Sequence, residues 1–131
     1  MTDPVFKGVD HIHLYASDRD AAAAWYADVL NFEPVPAFAR WAEHPKGPLT
    51  VADCADSVRF AILSRAEPKP FSIALTVDAA SYRAWRTRLQ ARGVECREAD
   101  HGLCASLYFK DPFGNELELT AWDVSVLTDE A

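Results

Sequence analysis

A weak internal repeat, with a period of about 60 residues, restricts what this chain can fold into more than any other feature. Ile12, Leu14 and Ala16 align with Ile73, Leu75 and Val77, Asp18 with Asp78, and Trp25 with Trp85. Each copy reads as one strand, one helix and three further strands. In the first copy residues 9–16 alternate as a strand, Ser17 or Asp18 caps a helix, and Ala22, Trp25, Tyr26, Val29 and Leu30 form one apolar helical stripe. Asn31 and Phe32 end that helix, and strands are expected over 32–39, 48–53 and 57–63. The proline-rich, charged run 65–70 separates the copies. The second copy then runs through a strand over 71–77, a helix opened by Asp78 with Tyr82, Trp85 and Leu89 inward and closed by Gly93, and strands over 94–98, 105–110 and 116–122. The expected fold is α+β in one domain spanning 1–131, with module one at about 8–64 and module two at 71–122. Two βαβββ modules form a mostly antiparallel sheet whose outer face carries the helices and whose other face curls into a cup. Trp25 and Trp85 are expected to be buried at equivalent places.

Composition narrows the function classes. A net charge of −7 disfavours nucleic acid, which needs a basic surface. Arg83, Arg86, Arg88 and Arg92 cluster on one helix and read as a solvated face. No apolar run approaches the roughly 20 residues needed to cross a membrane, and residues 1–7 lack the layout of a signal peptide. Cys54, Cys96 and Cys104 are odd in number and lack metal-like spacing, which suits reduced thiols. A cytoplasmic protein with a small-molecule partner, and neither a nucleic-acid nor a membrane partner, is expected.

Strand alternation decides which residues face the cup. With Ile12 and Leu14 under the helix, His11, His13 and Tyr15 point into it. The same parity places Ser72, Ala74 and Thr76, Ser106 and Tyr108, and Glu116, Glu118 and Thr120 there. A strand histidine is usually a packed residue and a carboxylate near a strand end is usually solvated. Imidazoles and carboxylates converging on one concave face nevertheless suit a divalent metal.

Two motifs carry a resemblance. Asp10-His11-Ile12-His13-Leu14-Tyr15 running into Asp18, followed by Trp25-Tyr26 and Val29-Leu30, resembles the opening of vicinal-oxygen-chelate proteins. Asp111-Pro112-Phe113-Gly114-Asn115 before Leu117-Glu118-Leu119 resembles their closing motif, so the likeness covers about residues 8–122. The superfamily includes glyoxalase I, fosfomycin-resistance transferases, extradiol dioxygenases and bleomycin-resistance proteins, and one fold there hosts many chemistries. The stretch from Asp100-His101-Gly102 to Tyr108-Phe109 leans towards the catechol-dioxygenase-like branch. The resemblance implies His11 as first metal ligand and Glu118 as last. It implies a histidine where this chain has Ser72, and a fourth ligand near Phe60 or Ala61, neither of which has ligating atoms. His13, or less directly His101, is then the substitute, while His44 lies in a surface loop.

Two functions follow. One is an enzyme holding a divalent metal (Fe, Mn, Zn or Ni) on His11 and Glu118 with His13, acting on a substrate with neighbouring oxygens. Tyr108 or His101 would serve as its proton donor or base, and His13, Tyr15, Ser72 and Tyr108 would line the pocket. The other is a metal-free binding protein of the bleomycin-resistance type, with aromatic walls such as Tyr15, Trp41 and Tyr108. By analogy with the superfamily, a homodimer is expected.

Overall fold

Both helix starts are set by the aspartates that the repeat aligns. The structure is a computed structural model that describes residues 2–128. After strand β1 (Ile12–Ala16), the extended Asp18 accepts hydrogen bonds from the amides of Asp20 and Ala21 and opens helix α1 (Arg19–Leu30). After β5 (Ser72–Thr76), Asp78 caps the Ser81 amide and opens a second long helix, Ala79–Ala91. Such caps satisfy amides that the first helical turn leaves without partners. Asn31 ends α1 in the left-handed region (φ 59°), a conformation asparagine tolerates better than most residues.

The first half continues through β2 (Glu33–Pro34), a tight turn at Pro36–Phe38, the short helix α2 (Ala39–Ala42), β3 (Leu49–Ala52) and β4 (Arg59–Ser64). The second continues from the long helix, α3, into β6 (Arg97–Asp100), β7 (Ala105–Lys110) and β8 (Glu116–Ala121), then a turn at Val124–Leu127. Each half forms a four-stranded sheet of identical order, β1-β4-β3-β2 and β5-β8-β7-β6. In each, the first and last strands pair in parallel and the remaining pairs are antiparallel. The repeat is thus structural, two βαβββ modules in an α+β fold. No helix among the described residues is long and apolar enough to cross a membrane.

Alternation holds where it was read. Leu14, Phe60 and Ile62 of the first sheet and Leu107, Leu117 and Leu119 of the second are buried in one core together with Tyr26, Tyr82 and Leu89 from the helices. Two strand expectations fail. The strand expected over 32–39 shrinks to Glu33–Pro34, because Pro34 and Pro36 have no amide to donate to a ladder and Pro36 opens a helical turn instead. The strand expected over 94–98 lies at Arg97–Asp100, since residues 92–96 leave the helix through Gly93 (φ 70°).

Trp25 and Trp85 are only half-buried and pack on the edge of the core, while Tyr26 and Tyr82 are fully enclosed. Tyr26, directly after Trp25, and Tyr82, three residues before Trp85, put their rings in the core and their hydroxyls on carboxylates, Asp111 for Tyr26 and Glu98 for Tyr82. Trp85→Ala should therefore cost about 1–2 kcal/mol, below the roughly 3–5 kcal/mol of a fully buried aromatic. Urea unfolding of Trp85→Ala beside Tyr82→Ala checks this, and equal losses would contradict it.

The arginine cluster is not a solvated face either. Arg88 donates to the carbonyls of Val29 and Asp28 and to Asn31 Oδ1, and Arg92 to the Asp28 carbonyl. These guanidinium groups satisfy carbonyls orphaned at the end of α1 and meet the negative end of its dipole. Arg86 is buried against Glu98 and the Val126 carbonyl.

Candidate functional site

The first-strand residues form a chain of contacts along one face. His11 lies just before β1 and its Nδ1 is 2.7 Å from an Asp10 carboxylate oxygen. Its Nε2 is 3.2 Å from His13 Nε2, and the two rings stack at 5.1 Å. His13 Nδ1 is 3.5 Å from the Tyr15 hydroxyl, and the Arg65 guanidinium covers the Tyr15 ring at 4.0 Å. The period of two along the strand puts all three side chains on the side opposite Leu14 and Ala16. With Asp10 accepting the Nδ1 proton, His11 presents the lone pair of Nε2.

This face opens a cavity of about 340 Å³ lined by Asp10, His11, His13, Phe38, Trp41, Pro48, Thr50, Arg59, Ala61 and Leu63. Phe38 and Trp41 are stacked at 4.7 Å with 9° between planes, and the Arg59 guanidinium lies 5.4 Å over the Phe38 ring. Arg59 also makes a two-pronged ion pair with Asp56 (2.7 and 2.8 Å), whose hydrogen bonds hold the Asp56 carboxyl below its ordinary value. Of the two positions where a fourth ligand would fall, Phe60 points into the core and Ala61 lines the cavity with a bare methyl group.

The second sheet holds the remaining residues. Glu118 accepts from Ser106 Oγ at 2.6 Å and Thr120 Oγ1 at 3.0 Å. His101 Nε2 is 3.0 Å from the Tyr108 hydroxyl, and Arg97 covers the Tyr108 ring at 4.3 Å. Ser72 is exposed, with its hydroxyl 3.5 Å from Glu116. The site residues are therefore in two clusters, His11–His13–Tyr15 on one sheet and Glu118 with the His101–Tyr108 pair on the other. No hydrogen bond or ring contact joins the clusters among the described residues, and none of those residues forms a group of three or more His, Cys, Asp or Glu able to hold a metal. A cavity of about 360 Å³ is lined by residues of both sheets, including His11 and Ala74 but none of Glu118, His101 and Tyr108, and Ala74 stands opposite Glu118 in register.

Sequence reasoning assigned no role to Asp10, Phe38 or Arg59. A carboxylate directly before a D-H-x-H strand was the available signal for Asp10. Phe38 was hidden in an expected strand.

The comparisons agree with this architecture. The profile of the Glyoxalase/Bleomycin resistance protein/Dioxygenase superfamily matches residues 8–119. A search of curated proteins finds no match. Among solved structures, an integron cassette protein from the mobile metagenome of the Halifax Harbour sewage outfall superposes with a TM-score of 0.74 at 18% identity, covering 88% of this chain and 99% of its own. Lactoylglutathione lyase from Agrobacterium tumefaciens gives 0.70 at 22%, covering 88% and 93%. A mutant of the fosfomycin resistance protein FosX from Listeria monocytogenes, complexed with manganese(II) and a dihydroxypropylphosphonic acid, gives 0.73 at 19%, covering 94% and 98%. At these identities the likeness is one of fold. With nearly the whole repeat matched by the superfamily profile, the chain belongs to the Glyoxalase/Bleomycin resistance protein/Dioxygenase superfamily.

Proposed function

We propose that the protein is a divalent-metal-dependent enzyme of the glyoxalase and dioxygenase kind, acting on a small molecule with neighbouring oxygens. One observation carries this reading: the Nε2 atoms of His11 and His13, both lining the cavity, are 3.2 Å apart. That spacing suits two imidazoles sharing one ion at roughly 2.0–2.1 Å from each. Asp10 supports it, because a carboxylate on the far ring nitrogen fixes the tautomer and raises ligand basicity.

His11 and His13 would hold the ion, and Glu118, which Ser106 and Thr120 hold in the other cluster, is the anionic donor that the superfamily pattern would add. The metal, when bound, would act as a Lewis acid towards the neighbouring oxygens of the substrate. Binding requires His13 to keep its proton on Nδ1, where the Tyr15 oxygen accepts it. His101 Nε2 accepts the phenolic proton of Tyr108 when that hydroxyl gives it up, so the pair serves as proton donor and base. Tyr15, beside His13, and Ser72 stand outside the lining of the first-sheet cavity, and a cytoplasmic homodimer with one domain per chain is the working assembly.

Metal titration by calorimetry tests this, with zinc or manganese added to the chelator-stripped parent and to His11→Ala, His13→Ala and Asp10→Asn. We expect one ion per chain, affinity lowered at least a hundredfold by either alanine, and about 10–100-fold by Asp10→Asn. Ser72→His should strengthen binding and Glu118→Gln should weaken it. A parent that takes up no ion would overturn the enzyme reading. A metal-free binding protein is the second reading, favoured by Ser72 standing where a ligand is expected and by the aromatic, apolar cavity wall.

A further inference from the structure

We propose that the first-sheet cavity selects its ligand by a flat aromatic ring stacked on the Phe38–Trp41 shelf, and that Arg19 is the positioning residue holding that shelf. The inference rests on the cavity assigned above and concerns the end of the ligand away from the histidines. Phe38 and Trp41 lie parallel within the cavity wall, yet Trp41 remains 51% exposed. A half-exposed indole in a cavity wall shared with Ala61 and Leu63 offers a ring both apolar contact and an offset stack. A volume of about 340 Å³ is at the small end of ligand sites and suits one or two fused rings.

The shelf has no ladder of its own. It sits on the turn Pro36–Phe38 and the single-turn helix α2, and the loop that follows is pinned from elsewhere. Arg19 is the first residue of α1, is 7% exposed, and donates to the carbonyls of Ala42, His44 and Gly47. A guanidinium is a rigid planar fork of five donors, so three carbonyls on one such group share one placement. Gly47 shows how closely the loop shuts: a Cβ there would stand 2.0 Å from the Trp41 carbonyl oxygen. Arg19 acts on the ligand only through Trp41 and Phe38.

The test uses 2-naphthol and its saturated counterpart decahydro-2-naphthol, titrated with chelator present into protein labelled with 5-fluorotryptophan. Trp41→Phe assigns the Trp41 resonance. We expect 2-naphthol to bind roughly tenfold more tightly than the saturated alcohol, with the Trp41 resonance moving and those of Trp25, Trp85 and Trp122 still. Trp41→Phe should keep the preference and Trp41→Ala should erase it. Arg19→Met should erase it too, with Arg19→Lys restoring part. General loosening of the fold would weaken both alcohols alike, whereas a displaced shelf removes only the aromatic preference. If Arg19→Met fails to fold, Gly47→Ala disturbs the same loop from the other side and should also abolish the preference. Equal affinity of the parent for the two alcohols, or 2-naphthol binding with the Trp41 resonance unmoved, overturns the shelf. Full preference retained in Arg19→Met, or in Gly47→Ala where Arg19→Met does not fold, overturns the role of Arg19. Failure of the metal reading would show in the metal titration and leave these results unchanged.

Discussion

Asp111→Ala should lower unfolding stability by about 3–5 kcal/mol, although the residue sits in a hairpin turn. The side chain is buried, and one oxygen accepts from the Tyr26 hydroxyl at 2.8 Å and from Asn115 Nδ2 at 2.8 Å. The other accepts from the amides of Phe113 and Asn115. Asn115 passes the connection on, accepting from the Phe71 amide and donating to the Tyr15 carbonyl. One carboxylate thus ties the last turn of the second module to the helix and first strand of the first. Alanine would leave a buried phenol and a buried amide without partners, and each such loss costs about 1–3 kcal/mol. Burial, then the Asp111 charge, pushes the Tyr26 phenol well above its ordinary pKa, so it stays a donor throughout the working range. Tyr26→Phe removes one bond and should cost about 1 kcal/mol. Urea unfolding of both single variants and the double variant reads the coupling. A loss under about 1 kcal/mol for Asp111→Ala would show that the turn does not tie the modules together.

Phe60→Ala should be similarly damaging, by about 3–5 kcal/mol. Its ring is wholly buried and contacts Tyr26 at 5.5 Å, Phe32 at 5.2 Å and Phe71 at 5.7 Å. Phe71 belongs to the second module, so the cavity left by alanine would open inside the shared core. Tyr26 is fixed in α1 and Phe32 and Phe71 stand directly before β2 and β5, so the rings have little room to collapse, which is the condition for the larger cavity penalty. Phe60→Leu keeps most of the volume and should cost less than half as much. Calorimetry should show one lowered transition for Phe60→Ala. Two separated transitions would mean that the modules melt independently and that this ring does not join them.

How far the site was legible follows from the range of the interactions involved. Alternation along β1 placed His11, His13 and Tyr15 on one face, because side-chain direction in a strand is a property of the backbone alone. The paired aspartate caps, the asparagine helix end and the glycine after α3 were readable for the same local reason. The superfamily motif brought in Glu118, yet its hydroxyl partners Ser106 and Thr120 and its separation from the histidine pair depend on how two sheets meet.

The sequence by itself determined the two-module α+β fold, the limits of its two long helices and the alternation of faces along its strands. Those features rest on contacts within a few residues, where spacing and chemistry suffice. Only the tertiary structure decided that tyrosines rather than tryptophans fill the core, since Tyr26 is one position from Trp25 and Tyr82 three from Trp85, and a modest rotation of either helix exchanges them. It alone revealed that Asp111 is a tie between modules, 85 residues from Tyr26, and that Arg88 closes α1 across 57–60 residues. The same holds for Arg19, whose three carbonyl partners lie 23–28 residues away. Backbone carbonyls are present at every position, so no residue pattern announces which of them a guanidinium will find once the chain has folded.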